Sequence, residues 1–306
     1  MRVSTAQYYQ SSIFGLQNLQ SQLSEIQNKI SSNKKRLQAS DDPESAIQSA
    51  RLQQGLASID QYDKNNKIAT AQNELMDSVL NQIVQVLNRA KELGIQSNNG
   101  ALSSADKNQI TTQLQSLATQ LLDLENTKDS NGNYLFSGFK TSPPFTQNSA
   151  GVFEYEGDKN NKQQIQVGYQ KLVSVNESGY DLFESITSEV ETKSLLNTVN
   201  DLSHAIYSSK ETTNQQEIKN NLTHLDLVLD HISAARTRIA GRLQYLDDMT
   251  QVNDAARLES KKLISQLDDI DFPAMVSELN LKTTLLQAAQ ASFAKISDLN
   301  LFNFLN

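Results

Sequence analysis

Apolar residues near the start of this 306-residue chain recur in steps of three and four: Tyr9, Ile13, Leu16, Leu19, Leu23, Ile26 and Ile30. That rhythm places them on one stripe of an α-helix. The stripe is narrow and flanked by Gln, Ser and Asn, so the helix buries too little by itself and needs a partner. The other end offers one, because Met275, Leu279, Leu286, Ala289, Phe293 and Ile296 keep the same heptad spacing, interrupted by Lys282.

Between the ends, helix punctuation is legible. Asp42 before Pro43 reads as an N-cap and first helical residue, opening a helix whose apolar face includes Ile47, Ala50, Met76, Val79, Ile83 and Ala90 and which stops at Asn98-Asn99-Gly100. Ser103 with Asp106 forms a capping-box pattern ahead of Ile110, Leu114, Leu117, Leu121 and Leu124. A later stripe runs through Ile218, Leu222, Leu225, Leu229, Ile232, Ala235, Ile239, Leu243 and Leu246. From about 131 to 180 the character changes, for six of the eleven glycines and eight of the nineteen Tyr and Phe residues fall there. Short runs such as Val152 to Tyr155 and Ile165 to Val167 then suggest strands separated by turns. The fold predicted is mainly α: an elongated antiparallel helical rod with coiled-coil terminal helices and a small inserted β-rich domain. Its divisions are 1–41 with 268–306, a terminal coiled-coil domain; 42–130 with 181–267, a helical rod domain; and 131–180, the β-rich outer insert.

Chemistry is sparse. There is no cysteine, which removes thiolate zinc sites and thiol nucleophiles. His224 and His231 lie seven apart, roughly 10 Å along a helix, too far to share one metal, and with His204 they read as surface or packing residues. Asp129-Ser130-Asn131-Gly132-Asn133 faintly resembles a calcium loop, but its glycine comes two positions early and Lys140 stands where the bidentate Glu belongs, so it reads as a turn. Asp268, Asp269 and Asp271 read as a solvated helix junction beside Pro273, and Lys34-Lys35-Arg36 as a solvated helix end. No phosphate loop, nucleophile elbow or H-E-x-x-H pair occurs. No catalytic, cofactor or metal residue is therefore assigned. The net charge of −8 disfavours nucleic acid and anionic membranes as partners. No run of about 18 apolar residues exists to span a bilayer. The first residues lack a secretory signal pattern, which predicts either the cytoplasm or export without a cleaved signal.

The terminal stripes, the step Ser40-Asp41-Asp42-Pro43 and the run from Asp269 to Leu305 resemble the shared ends of the flagellin superfamily. The segment from Asn131 to Phe145, NGNYLFSGFKTSPPF, and the opening MRVSTAQYY are similar to the hook-associated protein 3 family of hook–filament junction proteins. That resemblance implies a non-enzymatic flagellar subunit, exported through the flagellar type III apparatus with an export chaperone, and self-associating in a helical ring between hook-associated protein 1 and flagellin. The two terminal stripes carry too little apolar area to offset the entropy of ordering, so they are expected to stay largely disordered or chaperone-bound until docking pairs them as coiled coils lining an inner tube. The candidate assembly contacts are then Leu16, Leu23, Ile26, Ile30, Leu279, Leu286, Phe293 and Ile296. The alternatives are a flagellin-type filament subunit, or a surface adhesin binding through Phe153, Tyr155 and Tyr169, aromatics that otherwise fill the insert's core.

Overall fold

The computed structural model describes residues 2–98, 102–149, 151–187, 192–207 and 211–305, with side chains left aside at 2–6, 8, 211–214 and 296–305. Among these residues are six α-helices and three two-stranded antiparallel sheets, so the mainly-α class holds. The chain forms two compact units, Met1–Ser58 with Ala255–Asn306, and Ile59–Asp254.

Helix α1 (Arg2–Ser32) carries the N-terminal stripe and α6 (Phe272–Leu305) the C-terminal one. Helix α1 stops where Asn33 takes a left-handed φ of 54°. The amides of Asn33 and Lys34 then return to the carbonyls of Ile30 and Lys29, 3.3 and 3.2 Å away, in a Schellman cap that Asn tolerates. Helix α2 (Pro43–Ser97) begins as its sequence indicates, for the Asp42 carboxylate accepts from the Ser45 amide at 3.1 Å. Helix α3 (Ser104–Glu125) opens on the full capping box, Ser103 and Asp106 each satisfying the other's amide. Asn99 and Gly100, read as the stop of α2, lie outside the described residues.

The second unit holds nearly all of the buried apolar surface. Met76, Leu80, Ile83, Leu87 and Ala90 of α2 repeat every three or four residues and are fully shielded. They meet Ile110, Leu114 and Leu121 of α3 and Ile218, Leu225, Ile232 and Ile239 of α5 (Glu211–Asp268) in one contiguous core. Ile47 and Ala50, expected on the same apolar face of α2, are exposed. They belong to the other unit, where α2 has no such core to meet.

Three features went unanticipated. Helix α4 (Leu195–Tyr207) packs on α3 and buries Leu195, Leu196, Val199, Leu202 and Ile206. A π-helical turn, Tyr180–Glu184, buries Leu182 and Phe183. A minimal hairpin pairs Ile186–Thr187 with Thr192–Lys193, outside the stretch read as strands. Within that stretch, β1 (Phe145–Gln147) pairs with β2 (Phe153–Tyr155), and β3 (Gln164–Gly168) with β4 (Lys171–Ser174). Phe136 and Phe145 cross Phe183 edge to face at 5.1 and 5.8 Å, so the aromatic segment contributes to the same core as the helices. Phe153 is buried and the Tyr155 hydroxyl lies 3.0 and 2.9 Å from the Phe136 and Asp158 carbonyls, which share its single O–H, whereas Tyr169, at the β3–β4 turn, is 78% exposed and fills no core.

Asparagines fasten β3–β4 to the long helices. Asn65 and Asn73 of α2 donate to the carbonyls of Gln166 and Ser174 at 2.6 and 3.3 Å, and Asn253 of α5 donates to Val167 at 3.1 Å. Beneath them Ala69, Val167, Val173, Val175 and Leu246 form a small second core.

Candidate assembly surface

Helices α1 and α6 pair within the first unit. Tyr9 meets Phe293 edge to face at 5.6 Å, and Lys282 Nζ donates to Gln22 Oε1 at 2.8 Å. Residue numbers rising along α1 meet numbers falling along α6, so the helices run antiparallel. Lys282, which breaks the apolar stripe in sequence, is half-buried and finds a carboxamide across the seam.

Of the eight candidate contacts, Ile26 is buried, with 6% of its surface exposed. Leu16, Leu23, Ile30, Leu279, Leu286 and Phe293 are partly buried in the same unit, and the side chain of Ile296 lies outside the described residues. Ile26 is the one buried apolar side chain among the described residues of this unit. Ile13 and Phe14 on α1 and Leu281 and Leu285 on α6 are exposed instead, Phe14 by 62%. Spacing correctly picks the stripe through Leu16 and Leu23, but it cannot show that the neighbouring positions Phe14, Leu281 and Leu285 widen the apolar surface. A groove between the two helices is lined by Ser12, Gly15, Leu16, Leu19, Ala289, Ser292 and Phe293. Small residues hold it open: a Cβ added to Gly15 would meet nothing within 4 Å.

The α1–α2 connection is tied to the end of α5. Arg36 forms a short ion pair with Asp268, whose other oxygen accepts from Ser49 Oγ at 2.7 Å. The two charged side chains are 13% and 14% exposed. The amide of Lys35 donates to the Asp268 carbonyl at 2.7 Å, and Lys35 Nζ donates to the Gln266 carbonyl at 2.6 Å. Lys34, Lys35 and Asp271 are exposed, as a solvated helix end and junction predict, but Arg36 and Asp268 are not: opposite charges on segments 232 residues apart find each other. Asp41 folds the loop by accepting from the amides of Leu37 and Gln38, each at 2.9 Å, and those bonds hold its carboxyl below the usual range. Asp271 caps α6 by accepting from the Ala274 amide at 3.2 Å.

The three histidines lie apart from one another. His204 is exposed, His224 sits buried 3.4 Å from the Lys193 carbonyl, and His231 meets the Asp181 carbonyl at 2.7 Å. Among the described residues, no three His, Cys, Asp or Glu side chains converge as metal ligands, and no helix is long and apolar enough to cross a membrane. The Asp129 loop is a turn: one carboxylate oxygen accepts from the amides of Asn131 and Asn133 at 2.8 and 2.9 Å, and Gly132 takes a φ of 85°.

Residues 3–141 match the bacterial flagellin N-terminal helical region. Flagellar hook-associated protein 3 of Escherichia coli strain K12 is 29% identical over 317 aligned residues, spanning 99% of both chains. Similarity to flagellar hook-associated protein 3 thus runs from one end of the chain to the other. Two crystal structures share its fold. Flagellar hook-associated protein 3 from Legionella pneumophila superposes with a TM-score of 0.65 at 21% identity, covering 71% of this chain and 98% of that one. The flagellar junction protein FlgL from Legionella pneumophila gives 0.58 at 20% identity, covering 66% and 99%. The family resemblance read from the two ends and the 131–145 segment therefore extends along the whole sequence.

Proposed function

We propose that this chain is a structural subunit of the bacterial flagellum at the junction of hook and filament, and that it assembles through α1 and α6. The end-to-end likeness to flagellar hook-associated protein 3 carries this reading. The terminal pair supports it, because a helix pair with one buried apolar side chain among its described residues and with exposed Ile13, Phe14, Leu281 and Leu285 has surface left for a neighbouring subunit. Each such side chain fully buried at a contact contributes roughly 1.5–3 kcal/mol.

In this reading the subunits form a helical ring, with hook-associated protein 1 below and flagellin above. Residues 1–41 and 268–306 line the inner tube, 42–130 and 181–267 make side-to-side contacts, and 131–180 face outward. Leu16, Leu23, Ile26, Ile30, Leu279, Leu286, Phe293 and Ile296 hold the terminal seam on which the ring closes. The chain reaches its site through the flagellar type III apparatus, without a cleaved signal and escorted by an export chaperone.

Deleting the gene tests this. Cells should keep hooks, lose filaments and shed monomeric flagellin into the medium, and added purified protein should restore filaments. Normal filaments in the deletion strain would refute a junction role. The match of residues 3–141 to the flagellin helical region favours one second reading, a minor filament subunit, which predicts filaments that persist but lack this protein.

A further inference from the structure

The second unit contains a pair of carboxyl groups that its assembly role does not use. Glu125 ends α3 on the buried face, four residues past Leu121. It is wholly buried, and neither of its carboxyl oxygens meets a hydrogen-bond donor. Glu184 ends the π-helical turn, and one of its oxygens is likewise buried without a donor. The segments that carry them are tied to each other. Asn126, next to Glu125, exchanges two hydrogen bonds with the backbone of Phe145 at 2.9 and 3.0 Å, and the Phe145 ring packs on Phe183, the residue before Glu184. An ionised Glu125, fully buried with no donor to either oxygen, would be far costlier than the neutral acid, and Glu184 bears part of the same penalty through its one buried oxygen.

We propose that Glu125 and Glu184 hold protons as a pair in the folded second unit and release them when it opens, so that this unit is tightest in mildly acidic medium and loosens toward alkaline pH. Burial pushes the Glu125 carboxyl well above the usual range, and the Glu184 charge pushes it further. Burial also raises Glu184, to about 7, while Lys159 pulls it down and Glu154 pushes it up. Other charges on adjoining elements are engaged: Asp181 of the same turn lies 3.9 Å from Lys162, and Asp201 of α4 lies 2.8 Å from Lys193.

The direction follows from proton counting. Both groups bind protons more tightly folded than unfolded, where a glutamate titrates near 4.5. Their stabilising contribution is complete below that value and is lost as pH rises. The unfolding constant should grow about a hundredfold per pH unit while both protons are retained, and about tenfold per unit once Glu184 has ionised. The aspartates with lowered values, Asp41, Asp42, Asp106, Asp129 and Asp158, titrate below 3.8 and leave this window flat.

The chain has no tryptophan, and seven of its nine tyrosines lie in the second unit, so tyrosine near-ultraviolet dichroism reports mainly on it. Urea unfolding of the full chain between about pH 5.5 and about pH 8.5 should show a midpoint that falls as pH rises. Glu184→Gln should leave a tenfold change per pH unit across the whole range, Glu125→Gln should leave a tenfold change below about 7 and none above it, and the double variant should be flat throughout. A wild-type midpoint independent of pH, or a double variant with the wild-type slope, overturns the proposal. Should the variants fail to fold, infrared spectroscopy of the wild type decides: a carboxylic acid C=O band at neutral pH supports the pair, and its absence refutes it.

Discussion

The two units use the same kinds of residue to opposite ends. In Ile59–Asp254, apolar stripes from four helices and an aromatic loop close on one another, so that Leu80, Leu114, Phe136, Phe183 and Leu225 see no solvent. In the unit built on the two chain ends, helices of comparable length meet along one seam and leave Phe14 and Leu281 in water. Helix length therefore says little about self-sufficiency. What separates the units is the number of helices that share a core, since two helices shield each other on one side only.

The contrast breaks most visibly in the core. Leu80→Ala should cost about 2–5 kcal/mol, read as a lowered urea midpoint of the tyrosine signal. A negligible shift would mean that the second unit is no better packed than the first. Next in size, Arg36→Ala leaves Asp268 largely buried without its cation. It should cost roughly 3 kcal/mol locally, seen as faster proteolysis between residues 33 and 42. Replacing both partners by apolar residues should cost less, and equal sensitivity would show that the loop is held by its other bonds.

A smaller effect sharpens the comparison. Leu279→Ala, partly buried on α6, should change stability by only about 1 kcal/mol. The same variant should nevertheless fail to restore filaments to a deletion strain. If Leu279→Ala and Leu80→Ala lower stability alike, the first unit has a core of its own.

The smallest effect lies at acid pH. The carboxyls of Asp106, Asp129 and Asp158 are held below their usual value of 3.8, Asp106 first by the Ser103 side chain and Asp158 first by Asn161. Their contribution is present above that value and disappears as pH falls through the lowered ones. Asp106→Asn should therefore shift the acid limb of unfolding, followed by far-ultraviolet dichroism, without altering the midpoint's trend above pH 5.

These contrasts were unequally legible in the sequence. The α5 stripe from Ile218 to Leu246 and the caps Asp42 and Ser103 could be read because each depends on residues a few positions apart. Helix α4 escaped because it spans only 13 residues and follows a stretch with no periodicity of its own. The Arg36–Asp268 pair escaped for another reason: nothing local in either segment names its partner. Glu125 did leave a trace, since a carboxylate four residues beyond Leu121 falls on a stripe that is otherwise shielded. At the candidate site, spacing located the seam residues, while the breadth of exposed apolar surface beside them depended on how the two helices rotate against each other.

The asparagines that hold β3–β4 reach only main-chain oxygens, those of Gln166, Val167 and Ser174. Such a grip is indifferent to the chemical identity of the side chains it holds. The outward positions Tyr169 and Leu172 are thus free to diversify, provided a residue at 170 tolerates the left-handed φ of 55°. That makes the turn a practical place for grafting a short foreign epitope.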